Sequence, residues 1–487
     1  RFGGDDHALW INPKDSRHML LGFDHGMGIS YDGGKHWYHP DNLPLAQVYA
    51  VGADMKYPYR IACGLQDNGS QLGPSTKRDG SSIKLEDWRL VGGGDGMYNL
   101  FDPNSDLLYN ESQFGNLKRR DLKSGESKYI RYSKDIQTLR FNWCAPLLIS
   151  PHDSNVLYHG ANLLLRSSYR GENWQVISPD LTTADRSKLV NGKGGDGNIQ
   201  YCTITTIDES PIRQGVLWAG TDDGNVQLTR NGGKSWKKLN RNIPDKPDCW
   251  VSRVVASRHN LETAYVTFSA YRQDDFTPYV YKTEDFGESW RLIRSNLPDG
   301  PINVIREDPK NGELLFVGTD FSVFFTINGG KSWYPLKQNM PTQAVHDMLI
   351  HPRENDLVVA THGRGIFIMN ITPLQQLTEA VMKKDFHVFE VRSKIRWKSG
   401  FQRNSSSANF HGESEKRGIQ LYYWMRSQQE STVTLEVYRG NVLINRIEGK
   451  GEPGLNVIYW DLTERIRRTA RQVTALKKKL EKYRRYG

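Results

Sequence analysis

Ser30-Tyr31-Asp32-Gly33-Gly34-Lys35-His36-Trp37 sets a spacing of small hydroxyl, acid, glycine and tryptophan that returns along the chain. Thr283, Asp285, Gly287 and Trp290 repeat it. Thr229, Asn231, Gly233 and Trp236 keep it with Asn for Asp, as do Thr326, Asn328, Gly330 and Trp333, and Ser167, Tyr169, Gly171 and Trp174 form a decayed copy. A pattern returning every few tens of residues marks a repeat architecture. In each copy the hydroxyl residue ends a strand and the Asp or Asn accepts hydrogen bonds from the turn. Glycine then supplies a positive φ, and tryptophan opens the next strand with its ring against a neighbouring sheet.

The spacing resembles the Asp-box, or BNR repeat, of sialidase-like and sortilin-like β-propellers. The resemblance implies a structural role for Asp32, Trp37, Trp174, Asn231, Trp236, Asp285, Trp290, Asn328 and Trp333 as staples of a hairpin.

Composition agrees with a turn-rich, mostly β chain: 487 residues with 45 Gly, 11% aromatics and a mean hydropathy of −0.64. No apolar run is long enough to span a membrane as a helix. The formal net charge is +10, but the ten Lys and Arg and two Glu of residues 464–487 account for +8 of it. The preceding 463 residues are nearly balanced, so no nucleic-acid partner is expected and the basic character belongs to a tail. Cys63, Cys144, Cys202 and Cys249 have no metal-type spacing. They read as buried thiols, and a disulfide, whose pairing the sequence leaves open, is the alternative in an exported protein.

A second recurrence precedes the staples: a polar turn, an apolar strand and a Gly- or Asp-rich corner, as in Asn12-Pro13-Lys14-Asp15 before Met19-Leu20-Leu21-Gly22. It returns near Ala53, Asp102, Pro151, Ser210, Ser257, Asp308 and His351, giving eight units between residues 7 and 370. At about 45 residues each they match four-stranded propeller blades. With strands named A to D from the axis outwards, the staples are C-to-D turns. The B-to-C corners and D-to-A connections share the opposite face, where a ligand is expected around the channel mouth.

Those corners carry Asp24 and His25; Gln66, Asp67 and Asn68; Gln113; Asp222 and Asp223; Asp274 and Asp275; Asp320; and His362 and Arg364. Gly-Gly-Asp approaches add Asp5, Asp95 and Asp196. Turn capping explains any one of these acids, whereas their collection on one face points to binding. Four connections share Asn-apolar-Pro, at Asn42, Asn242, Asn296 and Asn339, with proline stiffening the crossing between blades.

The eighth unit has no staple after Gly365-Ile366-Phe367-Ile368-Met369, and Thr372-Pro373 leads into a helical pattern from Leu374 to Lys384. The first unit opens at a strand A, His7 to Ile11, so the ring is expected to stay open until a segment upstream of Arg1, or another chain, supplies the missing strand. The domains then read as propeller blades over 1–372, a connecting helix over 373–387, a small β-sandwich over 388–463 and a basic amphipathic helix over 464–487. The polar stretch Gly400 to Glu415 reads as a loop within the sandwich, and Gly454-Leu455-Asn456-Val457 with Trp460-Asp461-Leu462 resembles the end of Ig-like domains appended to secreted bacterial proteins. In the last helix Ile466, Val473 and Leu480 recur at seven. This pattern suits a docked solvated helix, a partner helix or an anionic membrane surface.

His7-Ala8-Leu9-Trp10-Ile11-Asn12-Pro13, Gly64-Leu65-Gln66-Asp67-Asn68-Gly69, Arg140-Phe141-Asn142-Trp143, Gly220-Thr221-Asp222-Asp223-Gly224 and His351-Pro352-Arg353-Glu354-Asn355-Asp356-Leu357 extend the likeness over residues 1 to about 463. They resemble large exported bacterial BNR-repeat proteins with sortilin-type, glycosyl hydrolase-like propellers. That resemblance implies export to the periplasm or beyond and a full chain longer than this one; it implies little about activity. Sortilin-like relatives bind peptides, which makes a non-catalytic module for a protein, peptide or glycan, or a subunit of an envelope complex, the leading expectation. The sialidase arginine motif has only Tyr59-Arg60-Ile61-Ala62 as a partial match. A xyloglucanase-like alternative would oppose two carboxylates among Asp67, Asp95, Asp223 and Asp320, roughly 6.5–9.5 Å apart, with Trp143 and Trp250 available for sugar stacking. No cofactor and no metal set is expected, although clustered carboxylates would suit Ca²⁺.

Overall fold

The computed structural model describes residues 5–40, 42–132, 139–185, 187–188, 200–336, 339–395, 397, 410–428, 432–463, 474 and 477. Asp196 lies outside these residues, as does the basic stretch 464–487 apart from Thr474 and Lys477. The described chain divides into two units, one of residues 1–375 with 399–415, the other of 376–398 with 416–487.

The first unit is a β-propeller. Eight antiparallel sheets follow in chain order, each wound outwards strand by strand. Seven of them form a ring, numbered here blades 1 to 7. Their inner strands are Val48–Ala53, Gly96–Phe101, Leu147–Ile149, Ile204–Glu209, Trp250–Ala256, Ile302–Glu307 and Val345–His351. Each inner strand packs against the next, and the seventh packs against the first. Second strands such as Leu217–Thr221, Ala264–Ser269 and Leu315–Thr319 are buried at every position because each blade is covered on both faces. Their sequences therefore read as continuous apolar runs instead of alternations. Apolar clusters fill the spaces between successive blades: Trp218, Val254, Phe268 and Trp290 between blades 4 and 5, and Tyr265, Ile305, Val317 and Trp333 between blades 5 and 6. A Cβ on Gly52 would lie 2.0 Å from the Asn99 carbonyl oxygen, so blades 1 and 2 approach more closely than any side chain permits. The outer strands of blades 3 to 6 are two-residue pieces, Gln175–Val176, Lys237–Lys238, Arg291–Leu292 and Tyr334–Pro335. Such short, mostly polar edges resist pairing with other chains.

The ring closes within the chain, which corrects the expectation that an upstream segment must complete it. At the seam Ala46 and Gly363 exchange backbone hydrogen bonds of 3.3 and 3.0 Å, and Gly365 also donates to Ala46. Tyr59 donates to Asp356 over 3.0 Å, and His351 Nε2 donates to the Asp54 carbonyl over 2.9 Å. The same histidine-to-carbonyl bond ties blade 3 to blade 4 through His152 and Ser210, and blade 5 to blade 6 through His259 and Asp308. A seam built like the other interfaces leaves no gap for a further blade.

The first of the eight sheets, Asp6–Ile11, Met19–Phe23 and Gly26–Ser30, consequently lies outside the ring although it shares the blade pattern. Its leading strand is exposed along its whole length. Its staple also differs: Trp37 donates to Gly34 of its own turn at 3.1 Å. Trp174, Trp236 and Trp333 instead donate to Ile130, Ile177 and Ile293 of the preceding blade at 2.7, 3.1 and 2.8 Å. Blade 7 has three strands, as expected, and among the described residues no strand pairs with the open side of Gly365–Asn370. The chain after it forms two short helices, Thr372–Gln376 and Glu379–Met382, where one continuous helix was expected; Thr378 is extended and caps the second by accepting from Val381.

In the second unit Phe386–Val388, Ile419–Met425 and Gly454–Trp460 form one sheet and Val433–Arg439 with Val442–Gly449 another. Leu421, Tyr423 and Met425 of the first meet Leu435 of the second in a small core. Residues 410–415 belong instead to the first unit, where Gly412 pairs with Ile83 of blade 1 and Ser414 accepts from the amide of Lys77. The stretch read as a sandwich loop thus includes a strap on the propeller.

Candidate functional site

In the ring the staples of blades 3 to 6 are C-to-D turns, the corners bearing Gln66, Asp67, Asn68, Asp222, Asp223, Asp320, His362 and Arg364 are B-to-C turns on the other face, and Asp95 lies on a D-to-A connection. The four staples that carry Asp or Asn share one set of hydroxyl and acid hydrogen bonds. Thr283 Oγ1 donates to Asp285 and accepts from the Gly287 amide at 2.8 Å, while Asp285 accepts from Ser289 N at 2.9 Å. Thr229 with Asn231, Thr326 with Asn328 and Ser30 with Asp32 repeat the set.

Six of the seven blades carry a β-bulge near the start of the inner strand. The bulged positions include Tyr49, Thr205, Ser252, Asn303 and His346, a recurrence that no local motif announces. Bulges re-aim side chains, and here they build the rim of the channel. Thr205 and Ser252 donate to Val251 and Ile302 of the following blade, Asn303 donates to Asp320 at 2.8 Å, and Tyr49 donates to Gln66 at 2.8 Å.

Around Tyr49 the candidates converge. His362 packs edge-on to Tyr49, with ring centres 5.6 Å apart, and lies 4.2 Å from His346. Burial lowers both histidines, His346 to about 3, with the Asp320 carboxylate opposing the shift at His362. Trp143 Nε1 donates to Tyr49 Oη at 3.3 Å and Phe114 stands edge-on to Trp143. Asp67, at a φ of 57°, donates its amide to the buried Asp95 carboxylate at 3.0 Å. Those two residues line a depression of about 440 Å³ with Asn68, Gly69, Leu90, Gly93 and Gly94. Arg364 is exposed on the same corner as His362.

The remaining candidates stay on their own corners. Asp222 is buried, accepts from Thr203 N and Oγ1 at 2.9 and 2.6 Å, and is pushed up to about 7 by loss of hydration. Asp223 accepts from Thr183 N and Oγ1 at 2.6 and 2.7 Å. Asp275 accepts from Thr277 N and Tyr279. Asp24 accepts from His7 and, with Asp5, belongs to the sheet outside the ring, which touches blade 1 where His25 meets Asn68 at 3.2 Å.

Sequence reasoning missed the channel interior. Arg253 donates to Tyr98 at 3.2 Å and to Asp347 at 3.3 Å, Arg306 donates to the same Asp347 oxygen at 2.6 Å, and Asp347 also accepts from Val51 N. These contacts span blades 1, 2, 5, 6 and 7, so the channel is bridged by side chains, and Trp143 bridges it again at Tyr49. A cation in the middle of the apolar strand Val251-Ser252-Arg253-Val254 was the available signal.

No protein-family model matches the sequence, and no curated protein does. Among solved structures the chain is similar to the GH74 enzyme of Niastella koreensis, with 15% identity, a TM-score of 0.47 and coverage of 87% of this chain and 61% of that one. It is also similar to the GH74 xyloglucanase of Xanthomonas campestris, with 14%, 0.48, 85% and 59%. For YCF48 of Cyanidioschyzon merolae the figures are 11%, 0.41, 74% and 94%. The chain spans about three fifths of the length of the two GH74 structures. By its own geometry the first unit is, over the described residues, a seven-bladed β-propeller with a side-chain-bridged axis.

Proposed function

We propose that this chain is a non-catalytic binding module or scaffold for a protein partner, of the Asp-box, sortilin-like kind its repeats resemble, and that the corner face is its ligand surface. One observation carries this: Asp95, Asp222, Asp223 and Asp320 of that face are held as acceptors for N–H and O–H groups of neighbouring segments, the Asp67 amide, Thr203, Thr183 and Asn303. Inverting glycoside hydrolysis needs two carboxylates opposed across room for a water, roughly 6.5–9.5 Å apart. Here Asp67 and Asp95 are neighbours joined through a backbone amide, and Asp223 is engaged by Thr183. Rigid corners above a bridged channel favour recognition by surface complementarity. Action outside the cytoplasm belongs to the same proposal.

The test pairs two assays. Incubation with xyloglucan is expected to release no reducing ends. The immobilised protein is expected to retain one partner from envelope extracts, and the double variant Gln66→Ala, Arg364→Ala is expected to lose it. Reducing-end release abolished by Asp67→Asn or Asp223→Asn would transfer the chain to the hydrolases.

A further inference from the structure

Three large aromatic side chains stand exposed on the corner face where turn chemistry has no use for them. Tyr271 is 41% exposed, Phe276 47% and Phe321 48%. All three lie on the B-to-C corners of the adjacent blades 5 and 6. The corners meet at Gly300: its amide donates to the Phe276 carbonyl at 2.7 Å, and a Cβ there would sit 3.1 Å from the Phe321 ring. Carboxylates are interleaved with the rings: Asp274 precedes Phe276 by two residues, Asp299 precedes Gly300, and Asp320 precedes Phe321. Asp274 and Asp299 are exposed, and Asp320 receives the neutral amide of Asn303. Among the described residues none of the three has a Lys or Arg partner.

The same surface already holds a guanidinium. Arg272, on the blade 5 corner, lies 4.5 Å from the ring centres of both Trp250 and Tyr271. An arginine between two rings is a cation–π arrangement, and it shows the mode of contact this surface supports.

Resting on the reading of this face as a protein-binding surface, we propose that the corners of blades 5 and 6 dock a basic peptide segment. Its arginine side chains would lie on Phe276 and Phe321 and pair with Asp274, Asp299 and Asp320. Charge complementarity selects this occupant. A neutral sugar could stack on the rings but would strip water from carboxylates that have no Lys or Arg counter-charge, whereas a guanidinium meets ring and carboxylate together.

The probe is dye-labelled octa-arginine, titrated against the whole chain by fluorescence anisotropy at low and physiological salt. Saturable binding is expected, weakening with salt. Affinity should fall about tenfold or more in the double variant Phe276→Ser, Phe321→Ser, which leaves every charge in place and so would not alter mere electrostatic adsorption. A comparable loss is expected in Asp274→Asn, Asp299→Asn, Asp320→Asn, and none in Glu262→Gln on the opposite face. Unchanged circular dichroism and melting establish that the variants fold. Equal binding by all variants, no binding by the parent, or ring-dependent binding of a xyloglucan oligosaccharide in place of the peptide would each overturn the proposal. Failure here with retention of the envelope partner removes only this subsite; loss of that partner together with glycan hydrolysis removes the broader reading.

Discussion

The amide of Val51 donates to the Asp347 carboxylate at 3.2 Å although 296 residues separate the two in the chain. Asp347 also faces Arg253 and Arg306, and its side chain is only 5% exposed. Removing it leaves two largely buried guanidiniums without their counter-charge and unfastens the seam amide. Asp347→Ala is therefore expected to destabilise the propeller by about 3–5 kcal/mol, measured as a lowered urea midpoint. A midpoint within error of the parent would show that the network does not hold the ring.

The staple tryptophans should divide by partner. Trp333 is buried and bonds to the preceding blade, so Trp333→Phe is expected to lower stability by roughly 1–2 kcal/mol through an orphaned carbonyl and lost packing. Trp37 bonds within its own turn on a sheet outside the ring, so Trp37→Phe should leave the main melting transition unmoved. Equal effects in calorimetry would place the first sheet in the same cooperative unit as the blades.

Asp222 gives a pH dependence of defined sign. Its folded carboxyl is pushed up to about 7, above the unfolded value near 4, so the folded state keeps a proton that the unfolded chain releases between them. Its stabilising contribution is thus complete below about pH 4 and is lost as pH rises to about 7. The melting temperature of the parent minus that of Asp222→Asn should fall steadily across this window, by the equivalent of a few kcal/mol at most. A flat difference would mean that Thr203 keeps the carboxylate ionised throughout.

All four cysteines are free, and burial pushes the Cys63 and Cys249 thiols up to about 12. Reducing agents should therefore leave the melting temperature unchanged, and an aromatic disulfide reagent at pH 8 should react slowly until denaturant exposes the thiols. Rapid native labelling of Cys63 would contradict its burial between blades.

The repeat was legible because its chemistry is local. Thr283, Asp285 and Gly287 bond to one another within five residues, so their spacing alone marks the turn, and the corner acids follow from strand counting. Ring closure was not legible. His7 to Ile11 and Val48 to Ala53 follow the same strand grammar, and only the packing of Val345–His351 against the latter decides which belongs to the ring. The channel rim escaped for a related reason: Tyr49 and His346 sit at bulges, where alternation no longer reports the direction of a side chain. Phe276 and Phe321 were not singled out, although each stands beside an aspartate in a polar corner, a juxtaposition visible in the sequence.

Ala46 leads into blade 1 and is bonded to Gly363 and Gly365 of blade 7. The polypeptide therefore leaves the ring within about one strand length of where it entered. A module with adjoining entrance and exit behaves as a cassette: it can be spliced into a surface loop of another protein, or have its blades renumbered by circular permutation, without any strand needing a new neighbour.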